Sequence, residues 1–376
     1  MPEMDRRTFF SSGILGAVAM GAASVRPLKG EEGVSSTPAP KILNYNPAMK
    51  YRPMGNTGVY VSEISLGGLV MEESVHRYAI EHGVNLVHVA WGYLGGQSIK
   101  TLGAGLKSMR DRFYIALKDD SPSIDKALEV LNTDHVDFFM FNRHWPSTAT
   151  DAKIAETFEI LKNQGKVRFA GLTSHANVKD TTAAGISSGF YNVVMPVLNQ
   201  PNLEAMAEEL RLAQQRGVGV MAMKSMKGLK GTDLEVAYLK KMLSNPAVTT
   251  VTKGIGSFDM FDAYLGALKE PLSSAEDRAL YRYAQMNRSN NCMFCDDCKR
   301  ACPLGIEVST VLRCKDYYYE QMKDVQTALS TYRDIPLEKL GNESCRLCRK
   351  CESACPNEIP IVERLLAARE VFAKMA

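Results

Sequence analysis

Between residues 50 and 271 the chain alternates short apolar runs, rich in β-branched residues, with amphipathic helical patterns such as Ile154–Gln164, Leu203–Arg216 and Leu234–Leu243. The predicted strands are Val61–Leu66, Leu86–Ala90, Phe113–Lys118, Val136–Phe141, Val167–Leu172, Val193–Leu198, Val218–Met223 and Thr249–Thr252. Eight strand–helix units over roughly 220 residues predict an α/β fold, the (β/α)8 TIM barrel. A doubly wound open sheet is the alternative, which is disfavoured because no G-x-G-x-x-G follows an early strand.

Polar and aromatic side chains collect where the predicted strands end, on the face of a TIM barrel that carries the chemistry. They are His88, Trp91 and Tyr93 at the second strand, Lys118 at the third, Asn142, His144 and Trp145 after the fourth, and Ser174 and His175 after the fifth. A packing or capping role is open for any single residue, and three histidines would also permit a mononuclear metal site. Their concentration at one rim indicates an active site.

Several segments of the predicted barrel resemble aldo/keto reductases. They are Lys50–Gly68, Gly83–Tyr93 followed by Gly103 and Leu106, Gly165–His175 and Leu243–Val248. The resemblance covers about residues 50–270 and implies a carbonyl reductase that uses NADPH. It also implies a catalytic set: a tyrosine acid, a lysine that stabilises the phenolate, an aspartate that holds the lysine, and a histidine that orients the carbonyl.

Only part of that set is present. Tyr93 and Lys118 match the tyrosine and the lysine, whereas His88 stands at the aspartate position. A histidine cannot balance the charge of a lysine, so the coupling of the lysine to the tyrosine is open. Asn142 takes the histidine position, with His144 two residues later on the same side of an extended chain.

The cofactor positions depart from the family as well. Thr173-Ser174 occupies the position of a Ser-Asn pair in the family, and Leu198 occupies the position of the aromatic residue that stacks on nicotinamide. The candidates for cofactor binding are Ser174, Asn199, Lys253, Gly254 and Ser257. The turn from Lys253 to Ser257 could cradle phosphate oxygens with backbone N–H groups, or it could be an ordinary tight turn. Use of NADPH is therefore an open expectation.

All nine cysteines lie between Cys292 and Cys355, and eight of them form two copies of C-x2-C-x2-C-x3-C-P. A disulfide framework would spread its cysteines through the fold that it stabilises, so the clustering indicates metal. The spacing is that of two-cluster ferredoxins, in which the fourth cysteine ligates the other cluster. The expected ligands of two [4Fe–4S] clusters are Cys292, Cys295, Cys298 and Cys355 for cluster 1, and Cys345, Cys348, Cys351 and Cys302 for cluster 2. Zinc is the competing interpretation of the C-x2-C pairs.

Between the two motifs, the predicted helices Val308–Tyr319 and Met322–Tyr332 resemble the elongated ferredoxin modules of dehydrogenase subunits more than a minimal ferredoxin. Cys314 lies in mid-helix and is predicted to be a buried apolar residue. The Tyr317–Tyr319 run is interpreted as packing. A barrel followed by such a tail is similar to aldo/keto reductase-like oxidoreductases with a C-terminal iron–sulfur domain.

The N-terminus resembles a twin-arginine export signal, because Arg6-Arg7 precede x-Phe-Phe and a short apolar run from Gly13 to Val25. An amphipathic or disordered tail is the alternative. The twin-arginine route exports folded proteins, which suits a protein loaded with clusters, so a periplasmic location is expected. The predicted organisation is a signal at 1–25, a linker at 26–47, the barrel at 48–272 and the iron–sulfur domain at 273–376.

A net charge of +3 without a basic run gives no sign of nucleic-acid binding, and no apolar stretch reaches the ~20 residues that span a bilayer. Three functions remain open. The leading hypothesis is an exported redox enzyme whose barrel acts on a small carbonyl, hydroxyl or sugar-like substrate, while the clusters exchange single electrons with a redox partner protein. The others are an NADPH-dependent reductase with a structural ferredoxin domain, and a non-catalytic barrel that serves as an electron-transfer or docking subunit.

Overall fold

A computed structural model describes residues 41–375 except 70, 120–123, 201, 227–228, 230–231, 291, 294 and 322–323. The expected signal at 1–25 and most of the expected linker lie outside the described residues. The barrel and the cysteine-rich tail lie within them.

Parallel strands β3 to β10 close into an eight-stranded barrel in the order β10-β3-β4-β5-β6-β7-β8-β9, and an antiparallel hairpin of β1 and β2 precedes them. The strands are β1 Tyr51–Pro53, β2 Tyr60–Ser62, β3 Ile64–Gly67, β4 Leu86–Ala90, β5 Tyr114–Lys118, β6 Val136–Asn142, β7 Val167–Ser174, β8 Val193–Pro196, β9 Gly219–Ala222 and β10 Thr250–Lys253. Barrel strands are covered on both faces, which explains their near-continuous apolar runs. The predicted (β/α)8 barrel is confirmed.

Helices lie between the barrel strands and after the last one. They are α1 Glu73–Glu81, α2 Gln97–Gly105, α3 Asp125–Leu131, α4 Pro146–Ala149, α5 Ala152–Asn163, α6 Val178–Ser187, α7 Ala207–Arg216, α8 Leu234–Leu243 and α9 Phe258–Ala267. Side-chain caps mark the start of two of them: Asp151 accepts from the N–H of Lys153 at α5, and Ser257 from that of Met260 at α9. Such caps satisfy N–H groups that have no partner inside the helix.

The strand expected at Val61–Leu66 is divided in two at Glu63. The Glu63 carboxylate pairs with Arg52 of the hairpin, and its carbonyl oxygen accepts from the N–H of Val251 in β10. The chain therefore passes from the hairpin into the barrel at this residue. The apolar alternation changes phase at Glu63, from Val61 to Ile64 and Leu66, so the expected single strand Val61–Leu66 overlooked a break that the sequence carries.

The helix expected from Leu203 begins only at Ala207. The side chain of Asn202 accepts from the N–H of Asn199 and donates to the carbonyl oxygen of Val197, over 2.8 and 2.9 Å. These bonds hold the chain in turns before α7. A local side-chain bond has therefore replaced the first turn of the expected helix.

The tail is helical, with one longer helix at each end and several short ones between them. They are α10 Ser274–Asn287, α11 Asp297–Ala301, α12 Val308–Leu312, α13 Val325–Arg333, α14 Cys345–Cys348, α15 Lys350–Ser353 and α16 Ile361–Ala373. The helix expected at Val308–Tyr319 widens after Leu312 into a π-helical segment, Arg313–Gln321. The tail has an apolar core of its own, which includes Val311 and Phe372. Among the described residues, no helix is long and apolar enough to cross a membrane.

Helix α10 packs on the barrel although the sequence assigns it to the tail. Lys240 and Lys241 of α8 form ion pairs with Glu276 and Asp277 over 2.9 and 2.8 Å. Leu280, one turn further along α10, is buried in the core of the barrel. The packing of the barrel thus continues to about residue 287, past the expected boundary at 272.

Candidate active site and two cysteine-lined cavities

Tyr93, Lys118 and His88 are neighbours at the carboxyl ends of β4 and β5. His88 lies within β4, Tyr93 follows that strand in a tight 3-10 turn, and Lys118 is the last residue of β5. The ammonium of Lys118 lies 5.0 Å from the centroid of the Tyr93 ring. The His88 ring lies 5.9 Å from the same ring, edge-on. The parallel register of two adjacent strands therefore assembles three of the residues expected to be catalytic.

His88 does not act as a counter-ion for Lys118. The ring is 3% exposed, and burial, followed by the charge of Lys118, lowers the pKa of His88 to about 3. His88 is therefore neutral at pH 7. Lys118 makes no ion pair among the residues that the structure describes, and its ammonium lies 3.4 Å from Nε2 of His175. Among the side chains that the structure describes, no carboxylate pairs with the positive charge beside Tyr93, in contrast to the arrangement that the resemblance implies.

His144 and His175 lie side by side beyond β6 and β7, with ring centroids 5.9 Å apart. The backbone N–H of His175 donates to Nδ1 of His144 over 3.4 Å. Asn142 ends β6; its Oδ1 accepts from the hydroxyl of Thr173 over 3.0 Å, and its Nδ2 lies 3.5 Å from Nε2 of His144. Asn142 is thus tied to the neighbouring strand, and His144 is the imidazole beside it.

Both of these histidines are neutral at pH 7. Burial, followed by the charges of Lys118, Arg313, Lys224 and Arg143, lowers the pKa of His144 to about 4. Burial also lowers the pKa of His175 well below its usual value, and the charges of Lys224 and Lys118 act in the same direction. A neutral imidazole offers one donor and one acceptor, which suits it to hold a polar ligand.

Two tail residues reach this rim. The ring of Tyr318 stands edge-on to His175 with centroids 6.2 Å apart, and the ammonium of Lys224 lies 4.4 Å from the Tyr318 centroid. Arg313, which is 1% exposed, is near enough to His144 and His175 for its charge to affect both. None of these three residues was expected at the site. Lys224 follows β9, so the strand-end rule could have found it, whereas nothing in the local sequence marks Arg313 or Tyr318.

The two rim tryptophans differ in their surroundings. Trp145 packs against the apolar core of the tail, and the ammonium of Lys299 lies 5.7 Å from its ring centroid. Trp91 is exposed. Trp145 is therefore a contact between barrel and tail.

Four buried polar groups near the carboxyl ends of the strands have no hydrogen-bond partner among the described residues. They are Nε2 of His88, Nδ1 of His175, the side-chain amide of Asn199 and the hydroxyl of Ser225. Asn199 and Ser225 follow β8 and β9. Leaving such a group unsatisfied costs about 1–3 kcal/mol. These four side chains place unsatisfied polar atoms at the end of the barrel where TIM-barrel proteins bind their ligands.

Lys253, expected to contact a cofactor phosphate, is engaged elsewhere. Its ammonium bonds to the carboxylate of Glu235, which also accepts from the Tyr264 hydroxyl over 2.7 Å. The backbone of Gly254 lies against β3, where a Cβ added at Gly67 would come within 3.3 Å of the Gly254 nitrogen. The turn after β10 is therefore packed as part of the barrel wall.

The other residues expected to bind a cofactor differ in whether their side chains already have hydrogen-bond partners. Ser174 donates its hydroxyl to the carbonyl oxygen of Ala176 over 2.8 Å, and Ser257 caps α9. Asn199 keeps an unsatisfied amide. Of these side chains, the Asn199 amide is the group that fits a nicotinamide carboxamide, and the hydroxyls of both serines are already bonded.

The expected ligands of cluster 1 surround one cavity. The four cysteines Cys292, Cys295, Cys298 and Cys355 line it together with Val308 and Leu312. The expected ligands of cluster 2 line a second cavity: Cys302, Cys345, Cys348 and Cys351. Val308 lines both cavities. The fourth cysteine of each motif thus joins the first three of the other motif.

A cubane cluster binds each of its four cysteines at a different iron corner, so its ligands surround a volume rather than a point. Both cysteine sets have that arrangement. Within the described ranges, no three His, Cys, Asp or Glu side chains converge on a single metal ion, the rim histidines included. Cys314 belongs to neither set. It is buried in the tail core, and burial raises its pKa to about 12.

A closed parallel barrel with a polar site at the carboxyl ends of its strands defines the class, a TIM-barrel protein. Residues 71–235 match the model of the aldo/keto reductase family. The matched segment lies within the barrel, in the part of the chain whose sequence resembles that family.

Two curated proteins of Bacillus subtilis (strain 168) are similar to the chain. Aldo-keto reductase YhdN is 26% identical, over 34% of this chain and 47% of that protein. The uncharacterized oxidoreductase YqkF is 27% identical, over 34% of this chain and 49% of that protein. The chain spans about half the length of these relatives.

Two solved structures share the fold. Aldo-keto reductase AKR11C1 from Bacillus halodurans, in its holo form, superposes with a TM-score of 0.55 and 21% identity, covering 62% of this chain and 96% of that one. PA4992 from Pseudomonas aeruginosa, assigned to the same family, superposes with a TM-score of 0.50 and 20% identity, covering 58% and 96%.

Proposed function

We propose that the chain is an oxidoreductase of the aldo/keto reductase type, which interconverts a carbonyl group and a hydroxyl group at the barrel rim. The observation that carries the proposal is the ammonium of Lys118, 5.0 Å from the ring centroid of Tyr93 at the ends of adjacent strands. The match of residues 71–235 to the aldo/keto reductase family and the names of the relatives support the same class of reaction.

Reducing a carbonyl to an alcohol takes two electrons and two protons. The hydroxyl of Tyr93 donates a proton to the carbonyl oxygen as negative charge develops there. Lys118 stabilises the phenolate that this leaves, because the opposite charges attract at short range. His144 is the neutral imidazole beside Asn142 and His175, and its single ring N–H is a further donor that could bind the same carbonyl oxygen. In the direction of oxidation, Tyr93 accepts the proton instead.

The electrons have two candidate sources. NADPH supplies hydride in aldo/keto reductases, and the Asn199 amide is the residue of this chain that fits its carboxamide. The bonding of Lys253 to Glu235 and the aliphatic side chain of Leu198 argue against that source. The second source is a pair of [4Fe–4S] clusters that the two cysteine sets would hold. They would supply the two electrons one at a time, and the hydrogen at carbon would then come from a second proton taken from solvent.

The cysteine-lined cavities support the second source. A run of tail residues between these cavities and the barrel rim supports it as well. Val308 separates the two cavities, and Leu312 lines the cavity of cluster 1. Arg313 follows Leu312 directly, and Tyr318 in the same π-helical segment contacts His175 of the barrel. A redox partner protein would exchange electrons with the clusters. Export by the twin-arginine route to the periplasm belongs to the same proposal.

The test uses full-length protein purified anaerobically and a panel of small carbonyls, alcohols and sugars. Turnover is measured with NADP(H) and, separately, with artificial one-electron donors and acceptors. We expect turnover with the one-electron reagents, and Tyr93→Phe should lower it by about 10²–10⁴-fold without changing the iron content. Tyr281→Phe removes a hydroxyl from an exposed tyrosine of α10 and is the matched control.

Three outcomes would change the proposal. Turnover that Tyr93→Phe leaves untouched would refute the role of this residue. Turnover with NADP(H) alone would select the nicotinamide source. Clusters that exchange electrons reversibly in a protein without turnover would favour an electron-transfer subunit.

A further inference from the structure

The two cysteine-lined cavities differ in their exposure to solvent. Cys348, which lines the cavity of cluster 2, is the exposed one of the eight expected ligands, and the four around the cavity of cluster 1 are buried or half-buried. Its neighbours are exposed as well, from residue 346 to residue 350. The cavity of cluster 2 therefore lies just below the surface of the tail.

Three leucines with exposed side chains lie around this cavity. Leu347, next to Cys348, is 92% exposed, and Leu304, which lines the cavity, is 48% exposed. Leu337 is 84% exposed and begins a short 3-10 turn that ends at Lys339, whose ammonium donates to the carbonyl oxygen of Leu304 over 2.8 Å. A single exposed leucine is ordinary, whereas a group of them around one cavity is typical of an interaction surface.

Positive charge borders these leucines. The side chains that line the cavity of cluster 2 include two exposed cations, Arg349 and Lys350, and no carboxylate. The cavity of cluster 1 has the opposite lining, with Asp296 and no cation. Lys339 adds a third cation beside Leu304. The two cavities therefore present different charges as well as different exposure.

The nearby carboxylates balance only part of this charge. They are Glu338, Glu343 and Glu352. Glu343 and Glu352 each pair with an arginine three residues away, over 2.6 and 3.3 Å. Lys339 and Lys350 form no ion pair within the part of the chain that the structure describes. We call this region the cluster 2 surface, which consists of Leu304, Leu337, Leu347, Lys339, Arg349 and Lys350.

We propose that the cluster 2 surface is the docking site of the redox partner, and that this partner is a small acidic electron-carrier protein. The inference rests on the proposed function and specifies the partner of its clusters. The leucines would form the apolar centre of the contact, and the cations would meet carboxylates of the partner at its rim. Electron-transfer partners form small contacts and must separate after each transfer, which suits a few exposed leucines better than a large apolar face.

The proposal gives the two clusters an order. Val308 lines both cavities, and Leu312, which lines that of cluster 1, precedes the π-helical segment whose Tyr318 stands 6.2 Å from His175 at the barrel rim. Cluster 2 would thus exchange electrons with the partner, and cluster 1 with the barrel. In the direction of reduction, each docking event oxidises one carrier and reduces cluster 2 by one electron, so two events supply one carbonyl reduction.

The test measures binding to full-length protein purified anaerobically. The probes are two one-electron carriers of opposite charge: flavodoxin, which is acidic, and cytochrome c, which is basic. Affinities are measured by biolayer interferometry at low and at high salt. We expect flavodoxin to bind at least about tenfold more tightly than cytochrome c, and this preference to weaken at high salt. Leu347→Asp and Lys350→Glu should each weaken the binding of flavodoxin by about tenfold and leave the iron content unchanged.

Matched controls come from α5 of the barrel, which lines neither cavity. Ile160→Asp and Lys153→Glu make the same kinds of change at exposed positions of that helix and should leave the affinity for flavodoxin unchanged. Leu347 lies between two expected cluster ligands. If Leu347→Asp lowers the iron content, the binding measured with Lys350→Glu decides.

Two results would overturn the inference directly: cytochrome c that binds as tightly as flavodoxin, and binding of flavodoxin that survives Leu347→Asp and Lys350→Glu. A dimer of the chain that Leu347→Asp dissociates would overturn it too, because a second copy would then cover the leucines. Flavodoxin that binds and reduces the clusters without turnover of any carbonyl would leave the inference standing and count against the proposed reaction. Turnover through Tyr93 with artificial donors, in protein that binds neither carrier, would do the reverse.

Discussion

Acid should destabilise this protein in the range where only histidines titrate. Four buried histidines have lowered pKa values: His76 to about 4, His88 to about 3, His144 to about 4, and His175 well below its usual value. Burial is the largest cause in each case. His76 lies in α1, away from the strand-end residues, with Nδ1 bonded to the carbonyl oxygen of Glu72 over 3.0 Å.

Each of these histidines is neutral in the folded protein and takes up a proton in the unfolded chain below about pH 6.5. Stability is therefore complete above that pH and is lost as the pH falls toward the folded-state values. As the pH falls from 7.5 to 5.5, each histidine lowers the free energy of unfolding by about 1.3 kcal/mol, and the four together lower it by about 5 kcal/mol. That is a large part of the roughly 5–15 kcal/mol by which a typical protein is stable.

The assay is urea unfolding at pH 7.5, 6.5 and 5.5 under anaerobic conditions, followed by circular dichroism. Most carboxylates titrate near pH 4, so this range chiefly reports the histidines. Burial raises the pKa of Glu209 and Asp296, and proton uptake by these two groups in the folded protein would oppose the loss. His76→Gln should reduce the loss of free energy of unfolding by about 1.3 kcal/mol, and His76→Gln combined with His144→Gln by about twice as much. A free energy of unfolding that falls by less than about 1 kcal/mol between pH 7.5 and pH 5.5 would refute the reasoning. Variants whose free energy of unfolding falls as much as that of the wild type would refute it as well.

Three further predictions concern other parts of the molecule. Anaerobically purified protein should hold about eight irons per chain. Cys298→Ala should leave about four, because each cavity has its own set of four cysteines. Two zinc ions per chain without visible absorbance would contradict this. Changing Arg6 and Arg7 to lysine should retain folded, cluster-bearing protein in the cytoplasm, as cell fractionation would show, and unchanged localisation would exclude a twin-arginine signal. Glu235→Gln should lower the free energy of unfolding by about 3–5 kcal/mol, because it removes the carboxylate that pairs with the buried Lys253. The measurement is the midpoint of thermal unfolding. It should be lower than in the control variant Lys241→Met, which breaks an exposed ion pair.

The strands of the barrel could be predicted from the sequence because their signal is local. A buried parallel strand needs a short apolar run, and Leu86–Ala90 has the same bounds in the sequence pattern and in the structure. Tyr93, Lys118, His144 and His175 could be placed at one rim for a similar reason, since parallel strands end on one side of a barrel. The two cysteine sets that line the two cavities could likewise be grouped from their spacing, whereas their role as cluster ligands stays a prediction.

The rest depended on contacts between distant segments. Lys253 was expected to bind a cofactor phosphate but forms an ion pair with Glu235. That pair exists because α8 packs against β10. The π-helical widening after Leu312 brings Arg313 and Tyr318 of the tail to histidines more than a hundred residues earlier in the chain. No local pattern encodes which surface of a helix will meet which strand end. The sequence by itself determined the barrel and the residues at its rim. Tertiary packing decided which of them are neutral, which are engaged elsewhere, and which tail residues lie beside the site, because burial and charge act between side chains that only the fold brings together.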